Sequence, residues 1–404
     1  MFSTLPITQL TPSPTHSKTP AAISTSTITP KPPTQSPTPF LSPTIPPDGM
    51  LKIQNLTILD QFPTDINITG TVIIHGYTDR PSFYLNFETG AKTTPVGDIY
   101  LSAVSPNRKF IAYIDATGSR EEWSLVITTS GSTNIISWET DWLSIGYWLD
   151  NKRLLILRNR DPLLPSTIVL NPFSGERKEI LPDYPDIETN YYSAEWWLPV
   201  YDPTLTRVVY PRVAGEERIV LWDLQKQRSI TYLSSRNNPY GLTPVWSSNG
   251  QFFVMALEDQ YVPTLTYPAH ELYQVDRDGK AERITYLTSY YNYFLRIDSY
   301  SWSPDNQQIA FHISYRWKGN NLPEDQLAVL NTQTKEVTVF YIPGSFPHHV
   351  PVWSPDGRYI LIDGYFYDKP FTGDYWTIMV DLANGYAKKI AKDSFPLAWL
   401  DYTP

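Results

Sequence analysis

The segment Pro351-Val-Trp-Ser-Pro-Asp-Gly-Arg-Tyr-Ile-Leu-Ile362 constrains the fold more than any other stretch, because the chain repeats it. Ser354-Pro-Asp-Gly357 fits a type I turn, with Ser first, Pro second and Gly fourth. Proline pre-sets its own φ at the second position, and glycine accepts the left-handed conformation that lets a hairpin close with a bulge. The apolar run Tyr359 to Ile362 then reads as a strand. Tyr300-Ser-Trp-Ser-Pro-Asp-Asn306 and Pro244-Val-Trp-Ser-Ser-Asn-Gly250 repeat the unit closely. Weaker copies begin at Val200, Tyr147 and Ala103, and a half-copy, Leu397-Ala-Trp-Leu-Asp401, stands at the C-terminus.

Measured on the tryptophan position, the copies fall at residues 104, 148, 201, 246, 302, 353 and 399, with gaps of 44, 53, 45, 56, 51 and 46. Such gaps overlap the period of propeller blades. Ile219 to Asp223, Leu272 to Asp276 and Trp376 to Asp381 read as third strands, and Asp276-Arg-Asp-Gly279 and Ala383-Asn-Gly385 as the turns that follow. The runs after each turn are almost continuously apolar, which suits strands covered on both faces. The expected fold is all-β: a seven-bladed β-propeller of four-stranded antiparallel blades. Gly70 to His75, Ser82 to Phe87 and Ala91 to Val96 form a unit without its own tryptophan strand. The half-copy at Leu397 is expected to supply it, so that the C-terminal strand closes the N-terminal blade. Leu51 to Ile58 is apolar enough to pack but has no place in this scheme.

Residues 1–48 differ in kind. Twelve of the first 50 residues are Pro and 18 are Ser or Thr. That composition cannot bury enough surface to offset chain entropy, so a disordered spacer is expected before a propeller over 49–404. Pro/Ser/Thr-rich spacers resemble those that hold bacterial extracytoplasmic domains off a surface. An extracytoplasmic or cell-surface location is therefore expected, although Met1 to Leu10 lacks the cationic and apolar regions of an export signal. Asn55-Leu-Thr57 and Asn67-Ile-Thr69 match the glycosylation triplet but read as ordinary polar positions.

The net charge is −9 and no Lys/Arg cluster occurs, which disfavours nucleic acid and anionic membranes as partners. The chain has no cysteine, which excludes disulfides, thiolate metal sites and cysteine nucleophiles. Gly-x-Ser-x-Gly, Walker, Gly-x-Gly-x-x-Gly and His-Glu-x-x-His motifs are absent. His348-His349 with His270 lacks a recognisable ligand spacing, so neither a metal nor a cofactor is expected.

The Ser-Pro-Asp-Gly turn followed by a β run resembles the repeats of TolB-like and WD40-like propellers, and the propeller of the dipeptidyl-peptidase and prolyl-oligopeptidase families. The resemblance covers about residues 100–404. It implies a structural repeat and carries no catalytic residue. The α/β domain of TolB and the hydrolase domain of the peptidases have no counterpart in this sequence.

Strand alternation sends the short turns to one face of the disc and the second-strand loops and inter-blade links to the other. The second face is rich in tyrosine among Asn, Asp and Arg, a composition suited to recognition. Tyr191, Tyr192, Arg236, Tyr240, Asp259, Tyr291, Tyr293, Arg296, Trp317 and Tyr367 are the expected partner-binding residues. The function read from the sequence is a monomeric, non-enzymatic scaffold for a protein or peptide. Carbohydrate binding, or a glycan-active hydrolase using loop carboxylates, is the alternative.

Overall fold

The computed structural model describes residues 51–60, 68–77, 81–95, 99–115, 117, 124–129, 132–137, 143–158, 166–180, 199–211, 219–233, 243–258, 269–290, 295–315, 325–341, 349–369 and 372–401. The spacer read over residues 1–48 lies outside them. The described residues form seven sheets, and every neighbouring pair within the four-stranded units is antiparallel. Blade 1 is composite: its inner strand, Ser394–Leu400, pairs with Thr71–Gly76, followed by Phe83–Asn86 and Lys92–Thr93. Blades 2 to 7 take their strands in chain order and open on Ile99–Val104, Leu143–Trp148, Val200–Tyr201, Val245–Trp246, Leu295–Trp302 and Val352–Trp353. The expected seven blades and the closure by the C-terminal half-copy are both observed.

The core is divided into seven seams rather than one centre. Each buried apolar cluster joins two neighbouring blades. Val72, Ile74, Tyr359, Leu361, Met379 and Trp399 join blades 7 and 1. Ile73, Ile99, Ile111, Tyr113, Ala398 and Leu400 join blades 1 and 2. The remaining five clusters continue this order around the ring. The continuously apolar second strands follow directly, since alternate side chains of one strand enter the seams on either side: Ile360 and Ile362 face blade 6, and Tyr359 and Leu361 face blade 1.

The repeated residues hold these seams. The Trp148 indole N–H donates to the Ala103 carbonyl at 3.0 Å, and Trp302 to Val245 at 3.0 Å. Trp246 and Trp353 reach Val200 and Ser301 at 3.3 Å. In each case the acceptor stands one residue before the ruler position of the preceding blade. Trp399 donates instead to Thr69 within its own blade, at 3.1 Å. In the turns, the Gly357 N–H meets the Ser354 carbonyl at 3.0 Å and Gly357 has φ +71°. Ser354 Oγ donates to Asp356 Oδ1 at 2.6 Å and accepts the Tyr359 N–H at 2.8 Å. Ser105 with Asn107, Ser247 with Asn249 and Ser303 with Asp305 make the same bond. Asp356→Ala removes an acceptor for both Ser354 and the Arg358 N–H. Its expected effect is a loss of about 1 kcal/mol in urea unfolding, with partner binding unchanged.

Leu51 to Ile58, unplaced by the sequence, adds a fifth strand to two blades. Leu51–Asn55 runs parallel to the outer strand Val337–Tyr341 of blade 6, and Thr57–Leu59 parallel to Tyr386–Lys392 of blade 7. Leu56, between them, is buried in the seam joining those blades. In blade 7 the second-strand loop expected on this face is replaced by strand as far as Lys369. Tyr359–Lys369 and Thr372–Asp381 form one long hairpin, with Tyr365 opposite Tyr375 and Tyr367 opposite Gly373. Cross-strand aromatic pairing accounts for it, since the tilted rings of Tyr365 and Tyr375 pack with centres 4.7 Å apart.

Candidate functional site

On the face opposite the short turns, a polar residue follows the apolar run of the second strand in several blades. Blade 1 places His75 there, blade 6 His312 and blade 7 Asp363. His75 lies 2.7 Å from Ser82 and packs on Phe395 within blade 1, His312 meets Ser299 of its own inner strand, and Asp363 meets Tyr77 of the neighbouring blade 1. The result is a polar and aromatic cluster spanning blades 5, 6, 7 and 1.

Asp363 is the centre of this cluster and is fully buried. Its Oδ1 accepts the backbone N–H of His349 at 3.0 Å. Its Oδ2 accepts the Tyr77 phenol at 3.0 Å and lies 3.0 Å from His349 Nδ1. Burial alone would raise the carboxyl pKa. The His349 hydrogen bond and the charges of His349 and His312 outweigh it and bring the value down to about 2. The Tyr77 phenol moves the other way, raised first by burial and then by the facing Asp363. The His349 ring lies parallel to Phe395 with centres 3.8 Å apart. Tyr77 packs on Phe395 and Tyr375 at 5.1 and 4.6 Å. Among the described residues no hydrogen bond reaches His349 Nε2, and the side chain keeps 35% of its surface. Val350 beside it is 51% exposed.

Blade 6 supports His349 from behind. A bulge in the inner strand places Ser299 at φ +31°, in the region that favours glycine. Bulges at such places re-aim side chains. Here Ser299 Oγ donates to the His349 carbonyl at 3.2 Å and stands 3.2 Å from His312 Nδ1. Nearby, Arg296 is ion-paired with Asp298 at 2.5 Å, and Asp298 also accepts the Ser314 hydroxyl. His270, the first residue of the third strand of blade 5, is 3% exposed. Burial, followed by the Arg296 charge, lowers its pKa to about 4 against the opposing pull of Asp298, so it is neutral at pH 7.

Chemically, a buried ionised carboxylate fixes one imidazole tautomer by holding Nδ1 and leaves Nε2 facing outward. Such a group hydrogen-bonds a ligand directionally. The same geometry does not suit Asp363 for donating a proton, which needs a raised carboxyl pKa.

Both shifts make the fold weaker in acid. His270 and Asp363 each bind protons more readily when unfolded. Stability is therefore complete above pH 6.5, falls between about 6.5 and 4 as His270 is forced to charge, and falls again between 3.8 and about 2 as Asp363 is protonated. Each step is on the order of 2–3 kcal/mol. Urea midpoints across pH 2–8 should show both steps. His270→Leu should abolish the upper one and Asp363→Asn the lower one.

Of the expected binding residues, Arg296 is described in full and Tyr367 by its backbone, on the blade 7 hairpin. Arg296 joins the cluster, held by Asp298. Tyr191, Tyr192, Arg236, Tyr240, Asp259, Tyr291, Tyr293 and Trp317 lie outside the described residues. Tyr77, Asp363, Ser299, His312 and Phe395 were not singled out by the sequence. A signal was present: Asp363 interrupts Tyr359-Ile-Leu-Ile362 and His312 follows Ile309-Ala-Phe311. A titratable residue closing an otherwise buried run needs a partner, and that partner marks a site. His349 and His270, once weighed together as metal ligands, belong to different blades. Among the described residues no group of three potential ligands is gathered.

Fold and cluster together define a seven-bladed β-propeller with a polar-aromatic centre on its loop face. The chain matches no protein-family model and no curated relative. Solved structures with a similar course of chain include TolB from Acinetobacter baumannii, 14% identical over 87% of this chain and 97% of that one, with a TM-score of 0.45. An oligogalacturonate lyase in complex with manganese is 11% identical over 81% and 86%, with a TM-score of 0.49. The periplasmic gluconolactonase of Pseudomonas aeruginosa is 12% identical over 82% and 96%, at 0.47. These likenesses are of fold; the blade count rests on the sheets themselves.

Proposed function

We propose that the protein is a non-enzymatic propeller scaffold that binds a protein or peptide outside the cytoplasm through its loop face. The observation that supports this most is the difference between the two faces. Polar side chains of the turn face are engaged in bonds between blades: Arg153 to the Pro203 carbonyl at 2.7 Å, Arg277 to Asp202 at 2.8 Å, and the Asn306 amide to the Ser248 hydroxyl at 2.7 Å. The loop face instead sets His349, with Phe395 stacked on it and Val350 beside it, on an ionised Asp363, and keeps Arg296 on Asp298 nearby. An exposed apolar residue beside a fixed hydrogen-bonding ring suits a protein contact. Glycan binding on the same face is the second reading, favoured by the carboxylates of Asp363 and Asp298. A glycosidase would require one of a carboxyl pair to be held protonated, and Asp363 is held ionised. The extracytoplasmic placement follows from the Pro/Ser/Thr-rich spacer. Among the described residues no helix is long and apolar enough to cross a membrane.

The test compares capture by residues 49–404 from an extracytoplasmic fraction with binding to a glycan array. A partner retained by the wild type and by Asp356→Ala, but lost with His349→Ala, supports the first reading. Saccharide binding that is lost with the same variant supports the second. Retention unaffected by every loop-face variant overturns both.

A further inference from the structure

The fourth turn residue between inner and second strands is left-handed in five blades. Gly250 and Gly357 have φ +65° and +71°, and Asn306, a residue that tolerates this region, has +57°. Leu205 has +56° and lies partly buried against the seam between blades 3 and 4. Arg108, in Ser105-Pro-Asn-Arg108, has +57°. Its repeat-mates show what the backbone prefers there, so the side chain must return something for the strain.

The Arg108 side chain leaves blade 2 and crosses to the composite blade and beyond. Its Nη1 donates to the Trp399 carbonyl of blade 1 at 3.3 Å and to the Trp353 carbonyl of blade 7 at 2.5 Å. Its own carbonyl accepts the Asp401 N–H at 3.3 Å, at the end of the closing strand. One residue of blade 2 therefore holds both the C-terminal strand of blade 1 and blade 7, across the junction inside blade 1 where Ser394–Leu400 meets Thr71–Gly76 without a covalent link. Burial brings the guanidinium pKa down to about 10, with the Asp401 carboxylate opposing, so it stays cationic at neutral pH. The Arg153 strap spans only blades 3 and 4, and each of these is built from one continuous stretch of chain.

The geometry points to Arg108 as the bolt of ring closure, a side chain that sets how often the C-terminal strand leaves blade 1. The inference does not depend on what the loop face binds. Its two alternatives differ in sign. If Arg108 merely occupies a turn, Arg108→Gly places the favoured residue at a left-handed position and raises Tm. If it bolts the ring, the same substitution lowers Tm and opens one place selectively.

The experiment is hydrogen exchange on the full chain, wild type against Arg108→Gly and Arg108→Lys, with Leu205→Gly as the control at an equivalent turn. In Arg108→Gly, amides of Ser394–Leu400 and Thr71–Gly76 should exchange about tenfold faster or more, while Ile219–Asp223 of blade 4 is unchanged. Arg108→Lys, which keeps a donor and the charge, should lie between. Leu205→Gly should leave blade 1 at its wild-type rate. A Tm at or above wild type for Arg108→Gly, or acceleration spread evenly over all blades, overturns the assignment. Should Arg108→Gly fail to fold, Arg108→Lys decides alone: acceleration confined to blade 1 supports the bolt, and uniform or absent acceleration overturns it.

Discussion

Removing residues 394–404 is expected to abolish the cooperative melt of the whole molecule. The deleted strand carries Ala398, Trp399 and Leu400, each no more than 2% exposed, and they serve two seams at once. Trp399 faces blade 7, and Ala398 and Leu400 face blade 2. Loss of one buried Trp and one buried Leu amounts to roughly 5–10 kcal/mol by the truncation scale. The net stability of a domain is about 5–15 kcal/mol. The pairing of Ser394–Leu400 with Thr71–Gly76 is lost as well. Gly70 is built for this strand: with φ +93°, an added Cβ would stand 2.4 Å from the Leu400 carbonyl oxygen. Calorimetry and near-UV circular dichroism should show the deletion product without a single sharp transition. A melting curve equal to wild type would defeat the closure model, whereas deletion of residues 1–48 should leave the curve unchanged.

The second large effect separates stability from binding. Trp353 is 1% exposed, fills the seam between blades 6 and 7 and donates its N–H to Ser301. Trp353→Ala should cost about 3–5 kcal/mol of unfolding free energy. Alanine at Tyr191, Tyr291 or Trp317 should instead leave Tm nearly unchanged and weaken partner binding by about 2 kcal/mol, roughly 30-fold, if these are aromatic anchors. His349→Ala should weaken binding too but also lower Tm, because it strips the buried Asp363 of the imidazole that holds it ionised. Thermal melts and partner binding on the same variants decide between anchor and local packing. Loop-face variants that lose as much stability as Trp353→Ala would sink the recognition-face reading. The described part of that face shows that packing is a real alternative: Tyr77 and Tyr365 both pack on Tyr375, with ring centres 4.6 and 4.7 Å away.

The repeat made the blades, their number and the closing strand legible in sequence. A Ser-Pro-Asp-Gly turn is closed by atoms within a few residues of one another, and a continuous apolar run declares burial on both faces. Local chemistry of this kind is written in order along the chain. The ruler tryptophans were legible for the same reason, since each occupies one register position in each copy. What lay across the ring was not legible. Leu51–Asn55 pairs with Val337–Tyr341, and Tyr77 donates to Asp363, each across 286 residues of chain. Neither leaves a periodic trace, because each happens once. Neither Asp363 nor Arg108 stood out in the sequence; the closed ring brings the Tyr77 phenol to the one and the Trp353 and Trp399 carbonyls to the other. The sequence alone determined the shape of the repeat and the count of blades, through bonds and burial local to each copy. Only the tertiary structure decided which single residues meet at the mouth and at the closing seams, because those meetings depend on the ring being complete.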